Sequence, residues 1–307
     1  MVFATGNGQL KDLVLGFSTN QDHDSLKLFC NSLRRIYSPE QCDLVIITNH
    51  FEGHFSALAR DGVCFISTSN TYPGTTHGLG KAFKRIVLSG IRVATRVKRL
   101  AEWAPEIVAA YPVLLETWLH PHFARWIAYE RFLTLNRAYR QVFLSDVRDV
   151  VFQAPLFHPE PGDRVNLFEQ DEIYGTGGCD TKWYRDAWGE AALAKVIGKK
   201  AVCIGTILGP PGEVLSMVTE FSAFFRRHPY NGVEQCVFNY MLHNDLIQTP
   251  YRVVENIRGP VATLANNIAH DAVETRDGYI RRANDGSIIP AVHMYDRWPD
   301  TKALYTQ

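Results

Sequence analysis

The chain has 307 residues, and 32 Lys+Arg balance 32 Asp+Glu, so its formal net charge is zero. Hydrophobic residues make up 46% and charged residues 21%, values that exclude disorder over most of the chain and supply enough apolar surface for a core. Zero net charge argues against a general nucleic-acid binder, which needs an excess of Lys and Arg.

The start, Met1-Val2-Phe3-Ala4-Thr5-Gly6-Asn7-Gly8, has no basic residue ahead of an apolar run, so no secretory signal is expected. No stretch reaches the roughly 18 uninterrupted apolar residues of a membrane span. The cysteines Cys30, Cys42, Cys64, Cys179, Cys203 and Cys236 form no Cys-x-x-Cys pair. We expect reduced thiols in a cytoplasmic protein, without a zinc knuckle.

Leu13–Phe17 is a short apolar run that ends in polar Ser18-Thr19-Asn20-Gln21-Asp22, the pattern of a buried strand entering a loop. Leu26, Phe29, Cys30 and Leu33 recur at helical spacing, with Asp24 or Ser25 as caps. Asp43–Thr48 and Val63–Ile66 read as further strands. Strand–helix–strand units with nearly continuous apolar strands imply a mainly parallel sheet flanked by helices. Phe123, Trp126, Ile127, Glu130 and Leu133 predict a helix over 122–136 that feeds a strand at Gln141–Leu144. Val165–Phe168 and Thr206–Leu208 are shorter strand candidates, and Pro210-Pro211-Gly212 opens a helix with Val214, Val218, Phe221 and Phe225 on one side. With no repeat and no clean linker, residues 1–307 read as a single domain with two halves, 10–155 and 156–307.

No Asp or Glu occurs between Asp61 and Glu102, while Lys81, Lys84, Arg85, Arg92, Arg96, Lys98 and Arg99 alternate with apolar residues there. This basic amphipathic segment reads either as a solvated helix face or as a surface for peripheral contact with an anionic membrane or acceptor through 81–100. Tyr72–Lys81 is rich in glycine and reads as a connection or as a loop covering a diphosphate.

The most informative stretch is Phe143-Leu144-Ser145-Asp146-Val147-Arg148-Asp149-Val150-Val151-Phe152. An apolar strand delivers two carboxylates and apolar chain resumes at once. In open α/β sheets, ligands sit beyond the carboxyl ends of the strands. Two carboxylates there are reconciled by a divalent ion with oxygen ligands, Mn²⁺ or Mg²⁺, or by pairing with Arg148 in a surface turn.

These residues resemble the metal-binding signature of nucleotide-sugar-dependent glycosyltransferases of the GT-A (Rossmann-like) fold. Further segments resemble the retaining branch that includes glycogenin and the family-eight galactosyltransferases. They are Arg125-Trp126-Ile127-Ala128-Tyr129, Val202–Gly209, Gly232-Val233-Glu234-Gln235 with Phe238-Asn239, and Val292-His293-Met294-Tyr295-Asp296-Arg297. The resemblance spans roughly residues 10 to 302 in order. It implies transfer of a sugar from a nucleoside-diphosphate sugar to a hydroxyl of a glycan, a glycolipid or a protein, with retention; the charge balance already argues against a nucleic-acid partner. It implies Asp146, Asp149 and His293 as ligands of Mn²⁺ or Mg²⁺. It places Arg125 and Asp146 beside the donor, Arg297 or Lys302 on the diphosphate, and Glu234 and Gln235 near the acceptor. It also divides the chain into a nucleotide-sugar half, including a basic helical segment over 81–120, and an acceptor half ending in the metal-binding tail. Two departures stand out. The spacing is Asp-x-x-Asp, so either Asp149 or Arg148 fills the second ligand place, and Glu234 stands where Asp is usual.

Thr19, Asn20 and Asp22 are expected to bind the base or ribose from the end of the first strand. Asp171, among the acidic residues Glu169, Asp171, Glu172 and Asp180, is the expected catalytic partner of Glu234 and Gln235. Trp183, Tyr184 and Trp188 read as stacking surfaces for an acceptor sugar or as core. A sugar-1-phosphate nucleotidyltransferase is the rival reading, disfavoured because 18–22 carries neither glycine nor a basic residue. A phosphohydrolase needs several His/Asp clusters, and His120-Pro121-His122, the closest histidine pair, reads as structural. A nucleotide-sugar-binding protein without activity would follow if Arg148 replaced a ligand.

Overall fold

The computed structural model describes residues 10–19, 23–49, 58–59, 61–71, 87, 89–90, 105–227, 233–265 and 270–305. Asn20, Asp22, Gly232, the glycine-rich stretch 72–81 and nearly all of the basic segment 81–100 lie outside the described residues.

A seven-stranded mixed sheet forms the centre, in the order β3-β2-β1-β4-β7-β6-β8. Its strands are β1 (Asp12–Ser18), β2 (Cys42–Thr48), β3 (Val63–Ser67), β4 (Val142–Asp146), β6 (Val165–Ile173), β7 (Lys200–Gly209) and β8 (Tyr251–Val254). β3, β2, β1 and β4 run parallel, and β8 runs parallel to β6. β7 is antiparallel to both its neighbours. A mainly parallel sheet is therefore confirmed, and strands from both halves of the sequence share it.

Alternation along β1 explains why it is buried throughout. Leu13, Leu15 and Phe17 join a core with α3 (Pro121–Leu135) and α6 (Pro211–Arg227), while Val14 faces Leu26, Phe29 and Leu33 of α1 (His23–Arg34). Trp126 of α3 is fully buried and meets Phe221 of α6 edge to face at 4.9 Å. Burial of a side chain this large contributes roughly 1.5–3 kcal/mol. α2 (Pro105–Trp118) lies against α3, and residues 87 and 89–90 of the segment 81–120 are also helical. The remaining helices are α4 (Cys179–Trp188), α5 (Glu190–Leu193), α7 (Glu234–His243) and α8 (Pro299–Ala303).

The last 50 residues, which show no long periodicity, form short strands instead. β12 (Ala291–His293) pairs antiparallel with β5 (Val150–Phe152) and parallel with β9 (Val261–Thr263). A hairpin of β10 (Val273–Arg276) and β11 (Tyr279–Arg282) stands beside them.

β6 and β7 are longer than their sequence signals, and their pairing is interrupted. Leu167 pairs with Ile207 but Phe168 pairs with Cys203, so Ile204, Gly205 and Thr206 bulge. Asn239 of α7 satisfies the backbone next to the break: its Oδ1 accepts from Val202 N at 2.9 Å and its Nδ2 donates to Val202 O at 2.8 Å. Bulges commonly re-aim groups next to functional sites, and this one underlies the cavity described next.

Candidate active site

A cavity of about 1120 Å³ opens beyond the carboxyl ends of β1 and β4. Asp146 is the last residue of β4, and Val147 turns inward against Gly16, where an added Cβ would lie 2.3 Å from the valine. That anchored valine makes the chain double back within three residues. Val150 of β5 then pairs with His293 of β12, which sets Asp149 beside the histidine. Met294 N donates to Asp149 O at 2.7 Å and locks the tail onto the acidic loop. Met294 has φ 59, a left-handed conformation that costs a non-glycine residue of order 1–3 kcal/mol and recurs at functional sites.

Asp146, Asp149 and His293 thereby converge, each offering a ligand atom within 4.8 Å of the others. His293 Nε2 is 3.4 Å from Asp146 Oδ2 and 3.5 Å from Asp149 Oδ1, yet it is buried with no hydrogen bond. Its Nδ1 lies 3.4 Å from Cys203 Sγ and 3.5 Å from Thr263 Oγ1. Burial opposes charge on the ring, but Cys203, Asp149 and Asp146 outweigh it and raise the His293 pKa well above the ordinary value. The floor of this cluster is Gly205, whose added Cβ would sit 2.5 Å from Asp146 Oδ2 and 2.6 Å from His293 Cε1. Arg148 turns away: more than half exposed, it reaches Asp296 Oδ2 at 3.4 Å, so Asp149 and not Arg148 faces the histidine. Arg297 Nη2 lies 3.6 Å from Asp149 Oδ2.

From Asp146 a row of alternating charge crosses the cavity. Arg125 of α3 is buried and donates through Nη1 to Asp146 Oδ1. Its Nη2 is 3.2 Å from Glu234 Oε1, at the start of α7, and Glu234 Oε2 is 3.1 Å from His122 Nδ1. Burial alone would lower the Arg125 pKa, but the two carboxylates raise it. Burial would likewise raise Asp146 and Glu234. Arg125 and His293 hold Asp146 below its usual value, and His122 and Arg125 do so for Glu234.

A second polar cluster lines the same cavity. Gln235 Nε2 donates to Asp180 Oδ1 at 2.7 Å and to Gln170 Oε1 at 3.1 Å, and Gln170 Nε2 donates to the other Asp180 oxygen. Glu172 Oε1 accepts from Asp180 N at 2.7 Å and Thr181 N at 3.3 Å, the first free amides of α4. Burial, with Glu172 close by, pushes Asp180 up to about 7.

Of the residues singled out from sequence, the structure brings together Asp146, Asp149, His293, Arg125, Glu234, Gln235, Thr19, Arg297 and Lys302, all on this cavity or its floor. Asp171 is corrected: it lies off the cavity, held by Lys200 Nζ at 3.3 Å and Asn256 Nδ2 at 2.9 Å. Gln170 and Glu172 reach Asp180, while Asp171 turns with Glu169 to Lys200, at a point where Asp171 takes φ 62 and β6 shifts register against β7. Trp183 lines the cavity, but Tyr184 is fully buried and Trp188 stacks on Tyr240 at 3.9 Å, so both are core. Gln170 was missed from sequence; its contact with Asp180 ties it to the cavity. His122 also lines the cavity, contrary to the structural reading of His120-Pro121-His122.

No protein-family model matches the chain, and no curated protein matches it. Solved structures do match. The galactosyltransferase LgtC, in complex with donor and acceptor sugar analogs, aligns at 12% identity with a TM-score of 0.49, covering 96% of this chain and 95% of that one. The glycosyltransferase GlyE of Streptococcus pneumoniae TIGR4 aligns at 11% identity and a TM-score of 0.45, over 97% of this chain and 61% of that one. A glycosyltransferase involved in glycosylation of the major capsid of PBCV-1 aligns at 9% and 0.39, over 97% and 100%. These likenesses are remote, and what the cavity can do follows from its own side chains.

Proposed function

We propose that this chain is a GT-A-type glycosyltransferase that moves a sugar from a nucleoside-diphosphate sugar to a hydroxyl acceptor and depends on a divalent ion, Mn²⁺ or Mg²⁺. One observation carries the reading. Two carboxylates and one imidazole converge beyond the end of a central strand, and the imidazole nitrogen between them is buried without a hydrogen bond. The donor set fits such an ion: hard oxygens plus one imidazole, above a glycine that leaves the space open. When bound, the ion supplies positive charge opposite the diphosphate as it departs.

The chain's own residues do the rest. Arg297 and Lys302 line the cavity on the side of Asp149 and would complete a clamp on the diphosphate. Thr19, just past the end of β1, lines the cavity and would meet the nucleoside. Arg125 orients Asp146 and Glu234 and keeps both ionised. Glu234 and Gln235 face the transferred sugar and its acceptor, with Asp180 and Gln170 fixing the Gln235 amide. Retention is part of this reading: both Asp180 oxygens and Glu172 Oε1 accept hydrogen bonds and Glu234 Oε1 pairs with Arg125, while Glu234 Oε2 is buried without a hydrogen bond. In a retaining transfer the acceptor proton would pass to an oxygen of the departing diphosphate. Six free cysteines are in keeping with a reducing compartment, and among the described residues no helix is long and apolar enough to cross a membrane.

The test is a thermal-shift screen of nucleoside diphosphates and sugar nucleotides with and without Mn²⁺. A ligand at 100 times its Kd stabilises the folded state by about 2.7 kcal/mol. We expect a Mn²⁺-dependent shift with one nucleotide class, abolished in Asp149→Ala. No Mn²⁺-dependent shift with any of them would overturn the reading.

A further inference from the structure

The charge row that starts at the cation ligands ends on a residue with no assigned role. Along it, Arg125, Glu234 and His293 are buried, whereas His122 leaves 54% of its side chain exposed to the cavity. Its position is built. Pro121 occupies the first turn of α3 and fixes the backbone there. His120 Nδ1 accepts the His122 backbone N–H at 3.3 Å. Glu234 Oε2, 3.1 Å from Nδ1, holds one side of the ring. Among the described residues no hydrogen bond reaches Nε2, on the other side. The contact is an ion-pair approach, with no hydrogen bond to Glu234 Oε2, but it anchors one edge of the half-exposed ring against a buried carboxylate and leaves the Nε2 edge on the cavity.

We propose that His122 is a specificity-determining residue of this cavity, its Nε2 hydrogen-bonding a hydroxyl on the far side of the transferred sugar. This rests on the nucleotide-sugar reading above. A sugar hanging from a diphosphate held near Asp146 and Asp149 lies along the row toward Glu234. Arg125 and Glu234 then meet the near edge of the ring, and His122 meets the outer edge. The nucleoside and diphosphate lie at the opposite end, toward Thr19, Arg297 and Lys302. His122 therefore distinguishes the sugar nucleotide from the bare nucleoside diphosphate.

The experiment compares Kd values by calorimetry in Mn²⁺ for UDP and GDP and for their glucose, galactose and mannose esters, in the full chain and in His122→Ala. We expect His122→Ala to weaken the preferred sugar nucleotide by about tenfold or more while the matching diphosphate changes less than about twofold. His122→Gln, whose amide can still donate to Glu234, guards against misfolding in the alanine variant and should show the same selective loss. Equal weakening of both ligands, or of neither, overturns the His122 assignment and leaves the nucleotide-sugar reading standing. Failure of the unaltered chain to bind any of these probes overturns that reading, and this proposal with it.

Discussion

Gly205→Ala tests the cation site without removing a ligand. The new methyl carbon would lie 2.5 Å from Asp146 Oδ2, 2.6 Å from His293 Cε1 and 3.0 Å from His293 Nε2. Ordinary contact begins near 3.4 Å, so the carboxylate must retreat by roughly 0.9 Å. It cannot do so freely, because Arg125 holds its other oxygen and His293 is fully buried. Metal–ligand distances tolerate only about 0.2 Å. The strain of such overpacking is about 1–3 kcal/mol, partly offset by the 0.4–1 kcal/mol or so that a Gly→Ala change takes from the unfolded chain. The variant should therefore fold with a modest loss of stability, yet bind Mn²⁺ at least about tenfold more weakly, since about 1.4 kcal/mol corresponds to a factor of ten. Isothermal titration with Mn²⁺ reads the affinity, and urea denaturation reads the fold. Gly212→Ala, where nothing lies within 4 Å of the added carbon, is the control. Unchanged Mn²⁺ affinity in Gly205→Ala would show that the ion does not sit between Asp146 and His293.

Two further predictions concern the buried charges. Arg125→Met leaves Asp146 and Glu234 without their shared cation and should cost about 3–5 kcal/mol by urea denaturation; a loss under about 1 kcal/mol would mean the row contributes little to the fold. Asp180 has its pKa pushed up to about 7, so folding favours its neutral form. Its stabilising contribution is complete below the unfolded value near 4 and is lost as the pH rises through about 7. Asp180→Asn should flatten the decline of Tm over that interval, and parallel Tm profiles for the two proteins would refute the assignment.

Much of the fold is legible locally. Leu13–Phe17 and Asp43–Thr48 are strands because parallel strands buried on both faces must be apolar nearly throughout, while Val63–Ile66 is a half-exposed edge strand. The α6 helix shows as an apolar stripe because one of its faces is buried, whereas α3 is buried without interruption from Phe123 to Tyr129. Asp146 and Asp149 could be read because a strand that delivers acid and at once returns to apolar chain has few structural uses. Asp171 went wrong because a run of acids on one strand looks uniform in sequence, while the register shift there sends Asp171 to Lys200 and its neighbours to Asp180. For Tyr184 and Trp188 the core alternative holds, since core and binding aromatics have the same spacing and only packing separates them. His122 was passed over because a histidine's role depends on its partner, and Glu234 is 112 residues away.

The sequence by itself determined the elements and the types of chemistry on offer, because hydrophobic period and residue type are properties of neighbouring positions. Only the tertiary structure decided that Asp149 rather than Arg148 faces His293, that a bulge in β7 puts Gly205 beneath them, and that Arg125 bridges Asp146 to Glu234. Those outcomes depend on strand register and on contacts between residues far apart in the chain. One residue of slip in β5 against β12 would turn the same side chains to the other face of the sheet.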